Sequence, residues 1–82
     1  MYKFNQEEQI VKDFCDIYVQ RYAKRHGHTA IFNALIRNNV GSMEDLAEAI
    51  SKHKLEKFRN LGPTRAEQIF AAYCEWEHDN MA

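Results

Sequence analysis

The chain has 82 residues, of which 45% are hydrophobic and 28% charged, and its formal net charge is −1. This length fits one domain with a modest core, and the composition is that of a globular fold rather than a disordered chain. No apolar run reaches the length of a membrane span, and the first residues do not resemble a signal peptide. We therefore expect a single cytoplasmic domain over residues 1–82.

The first predicted helix covers about residues 6–26. Asn5 and Glu8 have the spacing of a capping box. Apolar residues then recur at helical spacing from Ile10 to Tyr22, and Gly27 is a typical residue for ending a helix. A long N-terminal helix is expected, with residues 1–4 loose before it.

Two shorter helices are predicted next. Thr29 can cap the second helix, whose apolar stripe lies within residues 31–36, and Asn38-Asn39 ends it. Ser42 is the expected cap of the third helix, because acidic residues follow it in the first turn.

The C-terminal half is expected to contain a short fourth helix anchored by Leu55 and Phe58, and a longer fifth helix. The core face of the fifth helix is predicted at Ala66, Ile69, Phe70, Tyr73 and Trp76, and residues 78–82 are expected to be loose. No alternating Val/Ile/Thr-rich run predicts a strand. The predicted fold is therefore a compact, all-α domain of five helices.

The segment Asn60-Leu61-Gly62-Pro63 predicts a tight turn between the last two helices. Asn and Gly accept positive φ most readily, and the leucine between them can fix the turn to the core. Pro63 suits a first helical turn because its missing N–H would have no partner there. Backbone N–H groups at such a helix N-terminus are a natural binding site for phosphate.

Basic charge is concentrated at this hairpin. Residues 52–65 contain five Lys or Arg residues and one Glu, a net charge of +4, whereas residues 66–82 carry −4. A local basic patch can bind nucleic acid even when the whole chain is slightly acidic, although a charge run is also typical of a solvated surface. Lys54, Lys57, Arg59 and Arg65 are the candidate cations for phosphate contacts.

From about residue 30 to residue 76, the chain resembles the C-terminal domain of the bacterial RNA polymerase alpha subunit, a small helix-hairpin-helix (SAM-like) fold. The matching segments are Asn33-Ala34-Leu35, Val40 to Leu46, Leu55 to Phe58, and Asn60-Leu61-Gly62 followed by Ile69. The family contacts the DNA backbone and the minor groove, and the resemblance implies such contacts from Asn33, Gly62, Thr64 and Arg65.

Two positions depart from the family pattern. The family's arginine three residues before the asparagine falls on Ala30, and its basic residue two positions after the glycine falls on Thr64. Only Arg65 restores a charge near the turn. The resemblance therefore implies backbone binding more than minor-groove readout.

Catalytic chemistry is not expected. The sequence contains no nucleophile paired with an acid and a base, no nucleotide-binding glycine loop and no strong metal-ligand spacing. His26 and His28 are a weak metal signal without a third ligand. Cys15 and Cys74 are expected to be buried reduced thiols. Neither a cofactor nor a metal is predicted.

Two functions stay open at this point. The first is a small double-stranded-DNA-binding protein, with a transcription-associated role implied by the resemblance and RNA as a weaker alternative. The second is a protein-interaction module that keeps the fold without DNA binding and docks on RNA polymerase, a transcription regulator or itself.

Overall fold

The computed structural model describes residues 4–25 and 27–80, and this part of the chain contains four α-helices and no strand. The helices are α1 (Gln6–Ile17), α2 (Gly27–Arg37), α3 (Met43–Ser51) and α4 (Gly62–Asn80). The 3-10 turn Val19–Arg21 connects α1 to α2, and the 3-10 turn Leu55–Lys57 connects α3 to α4. The predicted all-α class is confirmed, and the radius of gyration of 11.5 Å is that of a compact chain.

The start of α1 is fixed by the predicted capping box. The Asn5 side chain accepts a hydrogen bond from the Glu8 N–H at 2.8 Å, and the Asn5 N–H donates to the Glu8 carboxylate at 3.1 Å. These two bonds satisfy N–H groups that a helix start leaves without intrahelical partners.

The prediction of one helix over residues 6–26 is wrong at its C-terminal end. The helix ends at Ile17, and the chain tightens into the 3-10 turn Val19–Arg21. The β-branched and aromatic residues at 17–19 are weak helix formers. In addition, the Tyr22 carbonyl accepts a hydrogen bond from the side-chain amide of Gln68 of α4 at 3.4 Å, so this segment is also tied to another helix.

The beginning of α2 also differs from the prediction. Gly27 opens α2 instead of ending the helix before it, and Thr29 lies inside the first turn of α2 rather than at its cap. A Cβ atom at Gly27 would lie 3.1 Å from the Ala23 Cβ, so the absence of a side chain lets the two segments approach closely.

The end of α2 and the start of α3 agree with the sequence signals. Asn39 adopts a φ of 67° just after α2, as expected of a residue that ends a helix. The Ser42 hydroxyl accepts a hydrogen bond from the Asp45 N–H at 3.0 Å, which confirms the predicted cap of α3.

The last two predicted elements are changed in length. The short fourth helix expected around Leu55 and Phe58 is the single 3-10 turn Leu55–Lys57. The final helix continues to Asn80, so residues 78–80 are helical rather than loose. The remaining residues expected to be loose, except Phe4, lie outside the described residues.

The core is formed where α1, α2, α3 and α4 meet. Its largest fully buried side chains are Val11, Phe14, Cys15, Val19, Ile31, Leu35, Leu46 and Ile69. Tyr73 and Trp76 pack against this core, with the Trp76 ring 6.4 Å from that of Phe14. The placement of Phe70 in the core was wrong, because 53% of this residue is exposed.

Contacts between chain-distant residues hold the segment after α1 against α4. The Tyr18 hydroxyl donates to the Asp79 carboxylate at 2.8 Å, and this bond raises the pKa of Tyr18. Arg21 lies 3.5 Å from the Glu75 carboxylate. None of the described helices is long and apolar enough to cross a membrane.

The two cysteines differ in their surroundings. Both thiols are free, but Cys15 is fully buried whereas Cys74 is exposed, so the prediction of a buried Cys74 is wrong. Burial raises the pKa of the Cys15 thiol from 9.0 to about 12. Cys15 therefore stays protonated and unreactive in the folded protein.

Thiol labelling under native conditions should distinguish these two residues. At neutral pH we expect a maleimide to modify Cys74 and to reach Cys15 only after unfolding in urea, because the thiolate is the reactive species. Mass spectrometry of labelled peptides measures each site. Rapid labelling of Cys15 in the folded protein would contradict its burial.

Substitution of Gly62 tests whether the turn requires a residue that accepts positive φ. Gly62 has a φ of 74° and open space where a Cβ would lie, so Gly62→Ala tests backbone conformation without a steric clash. We expect it to lower the free energy of unfolding by about 1 kcal/mol. Urea denaturation followed by circular dichroism provides the measurement.

Gly41→Ala is the matched control for that variant. A Cβ at Gly41 would make an ordinary contact at 3.7 Å with the Glu8 side chain, and Gly41 is not in the left-handed region. Its free energy of unfolding should stay within about 0.5 kcal/mol of the parent. Equal decreases in the free energy of unfolding of the two variants would show that the positive φ of Gly62 is not the cause.

Candidate nucleic-acid interface

The turn between the 3-10 turn Leu55–Lys57 and α4 has the conformation that the sequence predicts. Asn60 and Gly62 adopt φ values of 65° and 74°, and Leu61 between them is only 4% exposed. The leucine side chain is buried while its neighbours curve outward. The N-terminus of α4 is thereby fixed at the surface beside this turn.

Two side chains brace the turn from different elements. The Arg65 guanidinium donates to the Asn60 carbonyl at 3.0 Å. The Asn38 amide, just after α2, donates to the Arg59 carbonyl at 3.2 Å and to the Ala34 carbonyl at 2.7 Å. The turn is therefore tied both to α4 and to the end of α2.

The N-terminus of α4 is open to an anion. Its first turn contains no acidic side chain, and apart from the adjacent residues and the backbone of α4 itself, no described atom lies within 4 Å of the position that a Cβ would take at Gly62. The first N–H groups of a helix have no intrahelical acceptor and carry the positive end of the helix dipole. A phosphate oxygen can approach Gly62 without displacing a side chain.

A shallow groove of about 470 Å³ separates α2 from the turn. Its polar walls place Asn33 and Arg37 of α2 opposite Asn60 and Arg65. Asn33 is exposed, and the structure brings two sequence-predicted site residues, Asn33 and Arg65, into one surface.

A second groove of about 390 Å³ lies on the other side of Arg65. It combines Gly62 and Thr64 with Lys24, which comes from the segment between α1 and α2. Among the described residues, neither of these two grooves is lined by a carboxylate. We call the two grooves together the Arg65 surface.

The basic residues of 52–65 do not all lie on the Arg65 surface. Lys54 lines a different groove, which it shares with the carboxylates of Asp45 and Glu48. Lys52 forms an ion pair with Glu48 at 2.9 Å, and this hydrogen bond lowers the pKa of Glu48. The local potential around these two lysines is therefore partly neutralised.

Lys57 and Arg59 are exposed, and neither lines the Arg65 surface. Arg59 is nevertheless fixed next to it, since its carbonyl accepts the hydrogen bond from Asn38. The exposed Arg59 side chain therefore starts from a backbone that is held close to the Arg65 surface.

Two cations of the Arg65 surface, Arg37 and Lys24, are not among the site residues that the sequence predicts. Arg37 follows Asn33 by four positions on α2, so helical periodicity alone places the two side chains on one face. Lys24 carries no such signal, because its position depends on the irregular segment after α1. Neither cation forms an ion pair with a described acidic residue.

Metal chemistry has no support in the described residues, since no three His, Cys, Asp or Glu side chains come together there. His28 lies 3.7 Å from the Asp16 carboxylate and is mostly buried. His26, the other histidine of the weak metal signal, lies outside the described residues.

Comparison of the chain with protein-family models, curated proteins and solved structures finds no match. The resemblance to the polymerase alpha domain therefore stays a prediction.

The bond from Asn38 to the turn can be tested by substitution. We expect Asn38→Ala to lower the free energy of unfolding by about 1 kcal/mol, because two hydrogen bonds are lost. Amide hydrogen exchange at Leu61 should accelerate, since the turn loses its attachment to α2.

Asn80→Ala is the matched control for this prediction. The Asn80 amide donates to the carbonyl four residues earlier, as that of Asn38 does, but it reaches no second segment. Its effect on stability should stay within about 0.5 kcal/mol, and exchange at Leu61 should not change. Similar exchange rates in the two variants would show that Asn38 does not hold the turn.

Proposed function

We propose that this domain is a helix-hairpin-helix module that binds the phosphate backbone of duplex DNA through the Arg65 surface. The observation that carries the proposal is the pair of carboxylate-free grooves on either side of Arg65, which meet at an open helix N-terminus. A transcription-associated role, with RNA polymerase or a regulator nearby, is the further proposal that the sequence resemblance adds.

The turn supplies the first phosphate contact in this proposal. The N–H groups of Gly62, Thr64 and Arg65 are at the start of α4, where one phosphate oxygen can accept from them. Arg65 uses one nitrogen to brace the Asn60 carbonyl, and its remaining N–H donors stay available for the same phosphate.

The neighbouring cations extend the contact along the strand. Arg37 and Lys24 lie in the grooves on opposite sides of Arg65, so a backbone that crosses the turn passes both of them. Three such contacts give a slope of about −3 in a plot of log affinity against log salt concentration. Asn33 adds an uncharged hydrogen-bonding group to the same wall.

Backbone binding fits the shape of this surface better than base readout does. The turn and the helix start present short groups and backbone N–H donors, whereas base readout requires an element that enters a groove of the duplex. Ala30 lines the groove between α2 and the turn. A longer, cationic side chain would be needed at this position to reach into a groove of the duplex. We therefore expect little dependence on DNA sequence.

Fluorescence anisotropy with a labelled duplex of about 20 base pairs tests the proposal. Arg37→Ala and Arg65→Ala should each weaken binding several-fold at low salt and reduce the salt slope by about 1, because each removes one phosphate contact. Circular dichroism should show that both variants keep the helical content of the parent.

Lys52→Ala is the matched control, since it removes the same charge from the basic segment but from a lysine paired with Glu48. Its affinity should stay close to that of the parent. Equal weakening by Lys52→Ala would indicate a diffuse charge effect, and unchanged affinity in both arginine variants would refute the Arg65 surface as the site. Stronger binding to an RNA hairpin than to the duplex would reassign the nucleic acid.

A further inference from the structure

A further groove lies on another face of α4 and shares no residue with the Arg65 surface. It has a volume of about 230 Å³ and is bounded by the end of α3, the following turn and the first half of α4. Its lining consists of Ile50, His53, Leu55, Glu56, Ala66, Glu67 and Phe70. We call it the Phe70 groove.

The floor of the Phe70 groove is apolar. Leu55 and Ala66 are buried at its base, Ile50 is partly buried beside them, and Phe70 forms a wall that is 53% exposed. An aromatic side chain gains free energy when it is removed from water, and Phe70 has no such cover within the described chain.

Among the described residues, the polar side chains that line the Phe70 groove are two carboxylates and the imidazole of His53, with no Lys or Arg. Neither Glu56 nor Glu67 pairs with a described cation, although lysines are frequent in the same stretch of sequence. Lys52 is held by Glu48, and Lys54 lines the separate groove near Phe58. The Phe70 groove is thus an apolar slot with a negative edge.

We propose that the Phe70 groove binds a basic amphipathic segment of a partner protein. An apolar side chain of that segment inserts between Phe70 and Ile50, and flanking Lys or Arg side chains meet Glu56 and Glu67. The volume is below the about 300–1,000 Å³ typical of small-molecule sites, but it accommodates the anchor side chain of a peptide.

Charge argues against α1 of a second copy of this chain as the occupant. The exposed apolar residues of α1, Ile10 and Ile17, are on a helix whose first turn holds Glu7 and Glu8 and which also carries Asp13. An acidic helix of this kind would be repelled by the negative rim of the Phe70 groove.

A synthetic peptide provides the test. The probe is a fluorescein-labelled amphipathic peptide of about 16 residues, with leucines on one helical face and lysines on the other. We expect saturable binding by anisotropy and amide chemical-shift changes centred on the lining of the Phe70 groove. A peptide with glutamates in place of the lysines should bind more weakly by about tenfold or more.

Variants of the two equally exposed apolar residues locate the site. Phe70→Ala should weaken peptide binding about tenfold, whereas Ile17→Ala, at a residue that is also 53% exposed, should leave it unchanged. The double variant Glu56→Gln and Glu67→Gln should reduce both the affinity and its salt dependence. Circular dichroism checks that each variant is folded.

Three outcomes would overturn the proposal. They are equal binding of the acidic and basic peptides, equal weakening by Ile17→Ala and Phe70→Ala, and absence of shift changes at the groove. A dimer seen by light scattering that Phe70→Ala converts to a monomer would assign the groove to a second copy instead. Phe70→Ala should leave duplex binding intact, so this proposal and the DNA proposal fail separately.

Discussion

The burial of Leu61 is the constraint on which the candidate site depends. Its side chain enters the core from the middle of a turn whose flanking residues, Asn60 and Gly62, both have positive φ. Burial of a leucine contributes about 1.5–3 kcal/mol, which outweighs the small cost of the left-handed conformation at asparagine and glycine. The direction of α4 and the position of Arg65 both follow from this arrangement.

Signals carried by neighbouring residues predicted the structure well. The capping box at Asn5, the cap at Ser42 and the turn at Asn60 to Gly62 each depend on a few adjacent side chains and the backbone between them. Such local hydrogen bonds and φ preferences are present in the sequence itself. They identified the starts of α1, α3 and α4 and the end of α2.

Features that depend on distant contacts were not predictable in the same way. The end of α1 at Ile17 reflects packing of the next segment against α4, and the periodicity of the sequence continues past it. The exposure of Phe70 also depends on which elements pack against α4. Its spacing on α4 matches that of the buried Ile69 and Ala66, so periodicity alone places it on the buried face. Helical periodicity shows which residues share a face, but not whether another element covers that face.

The candidate site shows the difference between charge along the sequence and charge in space. Lys54 belongs to the basic segment but lies beside two carboxylates of α3, whereas Arg37 comes from another helix and lies opposite Arg65. The net charge summed over neighbouring residues therefore overestimates the positive charge near Lys54 and omits that of Arg37. The positions of Asn33 and Arg37 four residues apart were the sequence signal that could have corrected it.

The bond between Tyr18 and Asp79 has a consequence for how the domain folds. These residues are 61 positions apart, and Gln68 and Tyr22, which are 46 apart, make a second contact of the same kind. Helical proteins usually fold fast because most of their contacts are local, and contacts of long sequence separation slow that process. During synthesis, the segment after α1 cannot form these contacts until α4 has been synthesised.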